Sequence, residues 1–107
     1  MRVEVLYVAE CPSHPAAVQM VRDVLTAEGV SAEVREVLVR NTEMASELRF
    51  CGSPTIQING RDVATEPLKA HGFALSCRFY ADSKYAELPP SEMVRRAVIE
   101  AQAEDER

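Results

Sequence analysis

The chain has 107 residues, a formal net charge of -5, and 47% hydrophobic and 27% charged residues. That length suits one domain burying roughly 60–70% of the surface its unfolded chain exposes, and the composition is globular rather than disordered. The acidic balance disfavours a general nucleic-acid or anionic-membrane surface, and no apolar run reaches the roughly 18 residues of a membrane span.

The start, Met1-Arg2-Val3-Glu4, lacks the charged, apolar and small-residue order of a signal peptide. The expected compartment is the cytoplasm, where thiols are kept reduced. Three cysteines, Cys11, Cys51 and Cys77, are an odd number, which argues against a purely structural disulfide framework.

Residues 3–8 read as a first strand. Val3, Val5 and Tyr7 alternate with Glu4, Leu6 and Val8, and both faces are mostly apolar, as in a central strand covered on both sides. A loop follows, Ala9-Glu10-Cys11-Pro12-Ser13-His14-Pro15. The first helix begins near Ser13 or His14, with Pro15 at a first-turn position where its missing N–H is not needed. Val18, Val21 and Leu25 share a face, flanked by Ala17 and Val24, and Gly29 fits the left-handed position that ends a helix.

Residues 30–39 read as the second strand, passing from half exposed to buried. A helix between two strands leaves them parallel. Asn41 or Thr42 caps a short helix with Glu43 in its first turn, and Met44, Ala45 and Leu48 give that helix its apolar side. Gly52-Ser53-Pro54-Thr55 then leads into a strand over residues 55–58. Asn59-Gly60 is a strong two-residue hairpin signal, with a return strand over residues 61–64. Pro54 cannot donate to a sheet ladder and belongs at the strand entrance.

Residues 65–88 show no sustained period, and a connection that long marks function or disorder. Phe73, Leu75, Phe79, Tyr80 and Tyr85 make it too aromatic for a disordered linker, so it is expected to pack. Pro89-Pro90-Ser91-Glu92 opens a last helix, with Met93, Val94, Ala97 and Val98 on its apolar side. That helix is expected to fray into the acidic tail from Glu104.

Strand, cysteine loop, helix, strand, helix, Ser-Pro-Thr, strand, Asn-Gly and strand together resemble the thioredoxin-like fold, at glutaredoxin size. The resemblance covers roughly residues 2–64. It implies an α/β domain with a four-stranded mixed sheet in βαβαββ order, a cis proline at Pro54 and a Pro54 loop facing Cys11. It also implies that Ser53, Pro54 and Thr55 line the path of an extended substrate. The chain departs from the family pattern twice. His14 stands where the second cysteine of Cys-x-x-Cys would be, and the last helix follows the hairpin only after a long segment. The expected organisation is a single domain over residues 1–107, with its core in 1–64 and an added segment plus helix in 65–107.

Cys11 is the first candidate for chemistry, because strand end and helix start is where a thiolate finds free N–H groups and a favourable dipole. The alternative is an unreactive loop cysteine. His14 is read first as a solvated helix-start residue. It is also weighed as a cation that lowers the Cys11 pKa, and as a metal ligand with Cys11. Cys51 reads as core beside Phe50, or as a redox partner. Cys77, next to Arg78, is the candidate resolving cysteine, against a plain hydrophobic cluster. Cys11, His14, Cys51 and Cys77 would make a Cys3His set on composition, but the spacing shows no paired-ligand pattern. His71 defaults to solvent.

The expectation is thiol-disulfide redox chemistry, with Cys11 as nucleophile, His14 tuning it and Cys77 resolving it. No cofactor is expected, with glutathione as a possible reductant. The partners would be a protein disulfide or a small thiol or electrophile, with no nucleic acid and no membrane. The competing expectation is a non-enzymatic thioredoxin-fold module that binds a protein or a soft metal ion such as mercury or copper through thiolates.

Overall fold

The structure is a computed structural model that describes residues 1–9, 11–50, 52–64 and 88–105. In chain order it forms β1 (Val3–Tyr7), α1 (His14–Ala27), β2 (Val34–Leu38), α2 (Thr42–Leu48), β3 (Thr55–Ile58), β4 (Arg61–Asp62) and α3 (Ser91–Asp105). The four strands make one mixed sheet in the order β2-β1-β3-β4. β1 runs parallel to β2 and antiparallel to β3, and β3 is antiparallel to β4. The segment over 65–87, including the aromatic cluster expected to pack and His71, lies outside the described residues.

β1 is the central strand, and its period of two feeds two cores. Val3 and Val5 join Ile56 and Ile58 of β3 beneath α1 and α3. Leu6 points to the other face, where it meets Val39, Ala45 and Phe50 around α2. Val3, Val5 and Leu6 are all essentially without exposed surface. Full burial of each such side chain is worth about 1.5–3 kcal/mol, so β1 anchors both layers.

α1 buries Ala17, Val18, Val21, Val24 and Leu25, the stripe its spacing predicts. It closes on Gly29 at φ 67. The Gly29 N–H bonds to the Thr26 carbonyl at 3.1 Å and the Val30 N–H to the Leu25 carbonyl at 2.9 Å. These are the paired bonds of a Schellman ending. That ending corrects the start of the second strand from residue 30 to Val34. Val30 is tied back to the helix, and the parallel register pairs Val34 with Val3, where β1 itself begins.

α2 starts on Asn41, whose side-chain oxygen accepts the Met44 N–H at 2.8 Å. The hairpin turn has Asn59 at φ 54 and Gly60 at φ 80, the positive pair of a type I′ turn. The return strand is shorter than expected. Val63 still bonds to the Ile56 carbonyl, but Ala64 gives its N–H to the Asp62 carboxylate at 2.9 Å and leaves the ladder.

α3 buries Val94, Val98 and Ala101 against the α1 side of the sheet. The helix runs through Glu104 to Asp105 in the tail expected to fray, and residues 106–107 of that tail lie outside the described residues. Arg61 Nη1 of β4 reaches Glu104 Oε1 at 2.6 Å and ties that last turn to the hairpin. No helix among the described residues is long and apolar enough to cross a membrane.

Candidate functional site

The C-terminal end of β1 is where the candidate residues meet. β1 ends at Tyr7, and the next residue, Val8, bonds in two directions. The Val8 N–H bonds to Ser53 Oγ at 3.2 Å. The Val8 carbonyl accepts the Cys11 N–H at 3.3 Å. One residue therefore joins the cysteine turn to the bend before β3. A second turn bond, from the His14 N–H to the Cys11 carbonyl at 3.3 Å, leads straight into α1. Cys11 is a free thiol, half-buried, at the mouth of that helix.

The opposing bend carries Ser53, Pro54 and Thr55, and the Ser53–Pro54 peptide is cis. Thr55 Oγ1 donates to the Gly52 carbonyl at 2.6 Å, closing the bend on itself. Ser53 and Thr55 have no exposed surface, and Pro54 is buried with them. Hydroxyls enclosed this fully cost free energy unless bonded, and both are bonded. The bend is thus held rigid behind the cysteine turn, with no surface of Ser53 or Thr55 open to solvent. On the same face of β3, the buried Gln57 gives Nε2 to the Leu48 carbonyl at 2.8 Å and fastens the end of α2.

His14 is the main correction to the sequence reading. It is not a solvated helix-start residue, since its side chain keeps only 19% of its exposure. The ring stacks on Tyr7, with centroids 3.6 Å apart and planes 6° apart. Nε2 lies 2.7 Å from Glu36 Oε1 of β2. The oxygen is off the direction of a well-formed hydrogen bond, and Nε2 is otherwise shut away from solvent. The contact is therefore a close electrostatic one.

The cause is register. Val5 pairs with Glu36 and Tyr7 with Leu38, and paired residues share a face of the sheet. Tyr7 and Glu36 therefore lie on the α1 face, just where α1 begins. Neither residue was singled out from sequence. The signal for Glu36 was present, because it is the acid that interrupts Val34 and Leu38 on one side of the strand.

Cys77 and Cys51 lie outside the described residues. Among the described residues, no group of three or more His, Cys, Asp or Glu side chains is arranged to hold a metal ion. The described half of the Cys3His set, Cys11 and His14, has its histidine ring turned to Tyr7 and Glu36.

The architecture defines a small α/β protein with a four-stranded mixed sheet and three helices among its described residues. Residues 13–98 match the domain of unknown function DUF2703, and the chain belongs to that family. The matched stretch takes in His14, Glu36 and the Ser53-Pro54-Thr55 bend, and begins just after Cys11. No curated protein and no solved structure matches the chain.

Proposed function

We propose that this protein is a thioredoxin-like, glutaredoxin-sized thiol-disulfide oxidoreductase that works through Cys11. In this reading β1 to β4 with α1 and α2 form a thioredoxin-like βαβαββ core, and α3 is an addition packed on α1. The observation that carries the reading is the double use of Val8. Its N–H binds Ser53 and its carbonyl binds the Cys11 turn. A half-buried thiol at a helix start is thereby fastened to a rigid, buried bend.

The chemistry is an exchange of sulfur bonds. The Cys11 thiolate attacks one sulfur of a disulfide, forming a new S–S bond as the old one breaks, and the displaced sulfur leaves as a thiolate that takes up a proton. A second thiol then attacks the Cys11 sulfur of the mixed disulfide, the remaining substrate sulfur leaves as a thiolate that takes up a proton, and the disulfide left between Cys11 and that second thiol is reduced by glutathione, which returns Cys11 to its thiol form. Cys77 or glutathione supplies that thiol. The two electrons passed to substrate come from the pair of thiols that ends as the new disulfide. Ser53, Pro54 and Thr55 form the wall behind Cys11, and a substrate reaches them only by displacing what covers them. The protein acts in the cytoplasm on a protein disulfide or a small thiol or electrophile.

The test is glutathione-coupled reduction of a small disulfide by the wild type and by Cys11→Ser. The expected result is turnover in the wild type and background rate in the variant. An unaltered rate in Cys11→Ser overturns the assignment. Wild-type protein without turnover that purifies with stoichiometric soft metal moves the function to metal binding.

A further inference from the structure

We infer that Glu36 is a positioning residue for His14. It holds the imidazole with its proton on Nε2 and leaves the lone pair of the neutral ring on Nδ1. The inference deepens the proposed function and rests on it only for the link to Cys11.

The argument starts from the 2.7 Å approach of Nε2 to Glu36 Oε1. A neutral imidazole carries one N–H and one lone pair. If the lone pair were on Nε2, it would face a carboxylate oxygen at hydrogen-bond distance, and the two would repel. A proton on Nε2 turns the same approach into a charge-assisted attraction. Nε2 is closed to solvent and has no other acceptor among the described residues, so water cannot substitute for Glu36. The side chain of Glu36 retains 42% exposure, and a small rotation brings its oxygen into line with the N–H.

The second constraint is the near-parallel stack on Tyr7. It fixes the plane of the ring, while Glu36 fixes which edge turns toward β2. The tautomer of a histidine is set by the bond its other nitrogen makes. Among the described residues, the titratable side chains set against the ring are Tyr7 from β1 and Glu36 from β2. On its own side of the chain the neighbour is the Cys11 turn, whose carbonyl accepts the His14 amide. When Nδ1 takes a proton, the ring becomes a cation three positions from the Cys11 thiol, with Glu36 as its counter-ion. A base oriented by a third group is the general form of an activated nucleophile.

Two readouts test this. The first is 15N NMR of the imidazole at a pH where the ring is neutral. Wild type is expected to show the Nε2–H form as the dominant tautomer. Glu36→Gln should keep it, because an amide oxygen still accepts, and Glu36→Leu should release a mixture. An Nδ1–H form in the wild type, or no change in Glu36→Leu, overturns the inference. The second readout is the pH profile of Cys11 alkylation by iodoacetamide, an uncharged reagent. Glu36→Gln should alter the acid limb of that profile in the wild-type background and leave it unaltered in His14→Phe, which keeps the stack. An equal effect in both backgrounds means that Glu36 acts on Cys11 directly, and overturns the positioning role. If Cys11 shows no pH-dependent reactivity in any variant, the proposed function and the link to Cys11 both fall. The tautomer assignment is then judged by the NMR result alone.

Discussion

Ser53→Ala tests the join between the cysteine turn and the bend before β3. Ser53 has no exposed surface, and its Oγ is the acceptor for the Val8 N–H at 3.2 Å. Removing one oxygen leaves almost no cavity, so the cost is that of the orphaned amide. A buried donor left unsatisfied costs about 1–3 kcal/mol. Val8 is only partly buried and the bond is long, so the lower part of that range, about 1–2 kcal/mol, applies. For a domain of this size that corresponds to a fall in Tm of about 5–10 °C. Urea unfolding should show the loss as a lower midpoint at unchanged slope. Hydrogen exchange should show faster exchange at the Val8 amide specifically, and Cys11 alkylation should change rate, because Val8 also holds the Cys11 turn. A variant within about 0.3 kcal/mol of wild type by the same unfolding analysis, with Val8 exchange and Cys11 reactivity unchanged, would refute the claim that Ser53 fastens the two loops.

Two further substitutions test the layers around the site. Asn41→Ala removes the side-chain acceptor for the Met44 N–H and should cost about 1 kcal/mol, read by urea unfolding; loss of less than about 0.3 kcal/mol would mean that water replaces this cap. Phe50→Ala empties the largest fully buried side chain among the described residues, in the α2-side cluster. It should cost about 3–5 kcal/mol by the same measurement, and a cost of about 1 kcal/mol would mean that the smaller core collapses around the gap.

Much of the fold is legible in the sequence because local rules and packing agree. The α1 stripe from Ala17 to Leu25, the Asn41 cap, the Gly29 ending and the Asn59-Gly60 turn each have a short-range cause, and each stands where that cause puts it. The misplaced boundaries have longer-range causes. The second strand starts at Val34 rather than residue 30 because its partner strand starts at Val3. The final turn of α3 carries a contact from Arg61, distant in sequence, to Glu104, an exposed pair worth about 0–1 kcal/mol. β propensity and helix fraying say nothing about a partner that only the folded sheet supplies.

The candidate site divides along the same line. Cys11 and Ser53-Pro54-Thr55 stand out in sequence because turn chemistry marks both segments, and the structure joins them through Val8. His14 stands out in sequence at the position of the second motif cysteine, as a tuner of Cys11 or a metal ligand with it, and at a helix start, where exposure is the first expectation. What buries it is the coincidence of three elements. Tyr7 is the last residue of β1 on the α1 face, Glu36 is beside it in parallel register, and α1 begins at His14 directly above. The side chain of Glu36 stays 42% exposed on this edge strand, and its carboxylate can reach the imidazole. Here the imidazole meets it, and in doing so loses the freedom to face solvent. The sheet register therefore sets which side chains enclose the His14 ring at the start of α1.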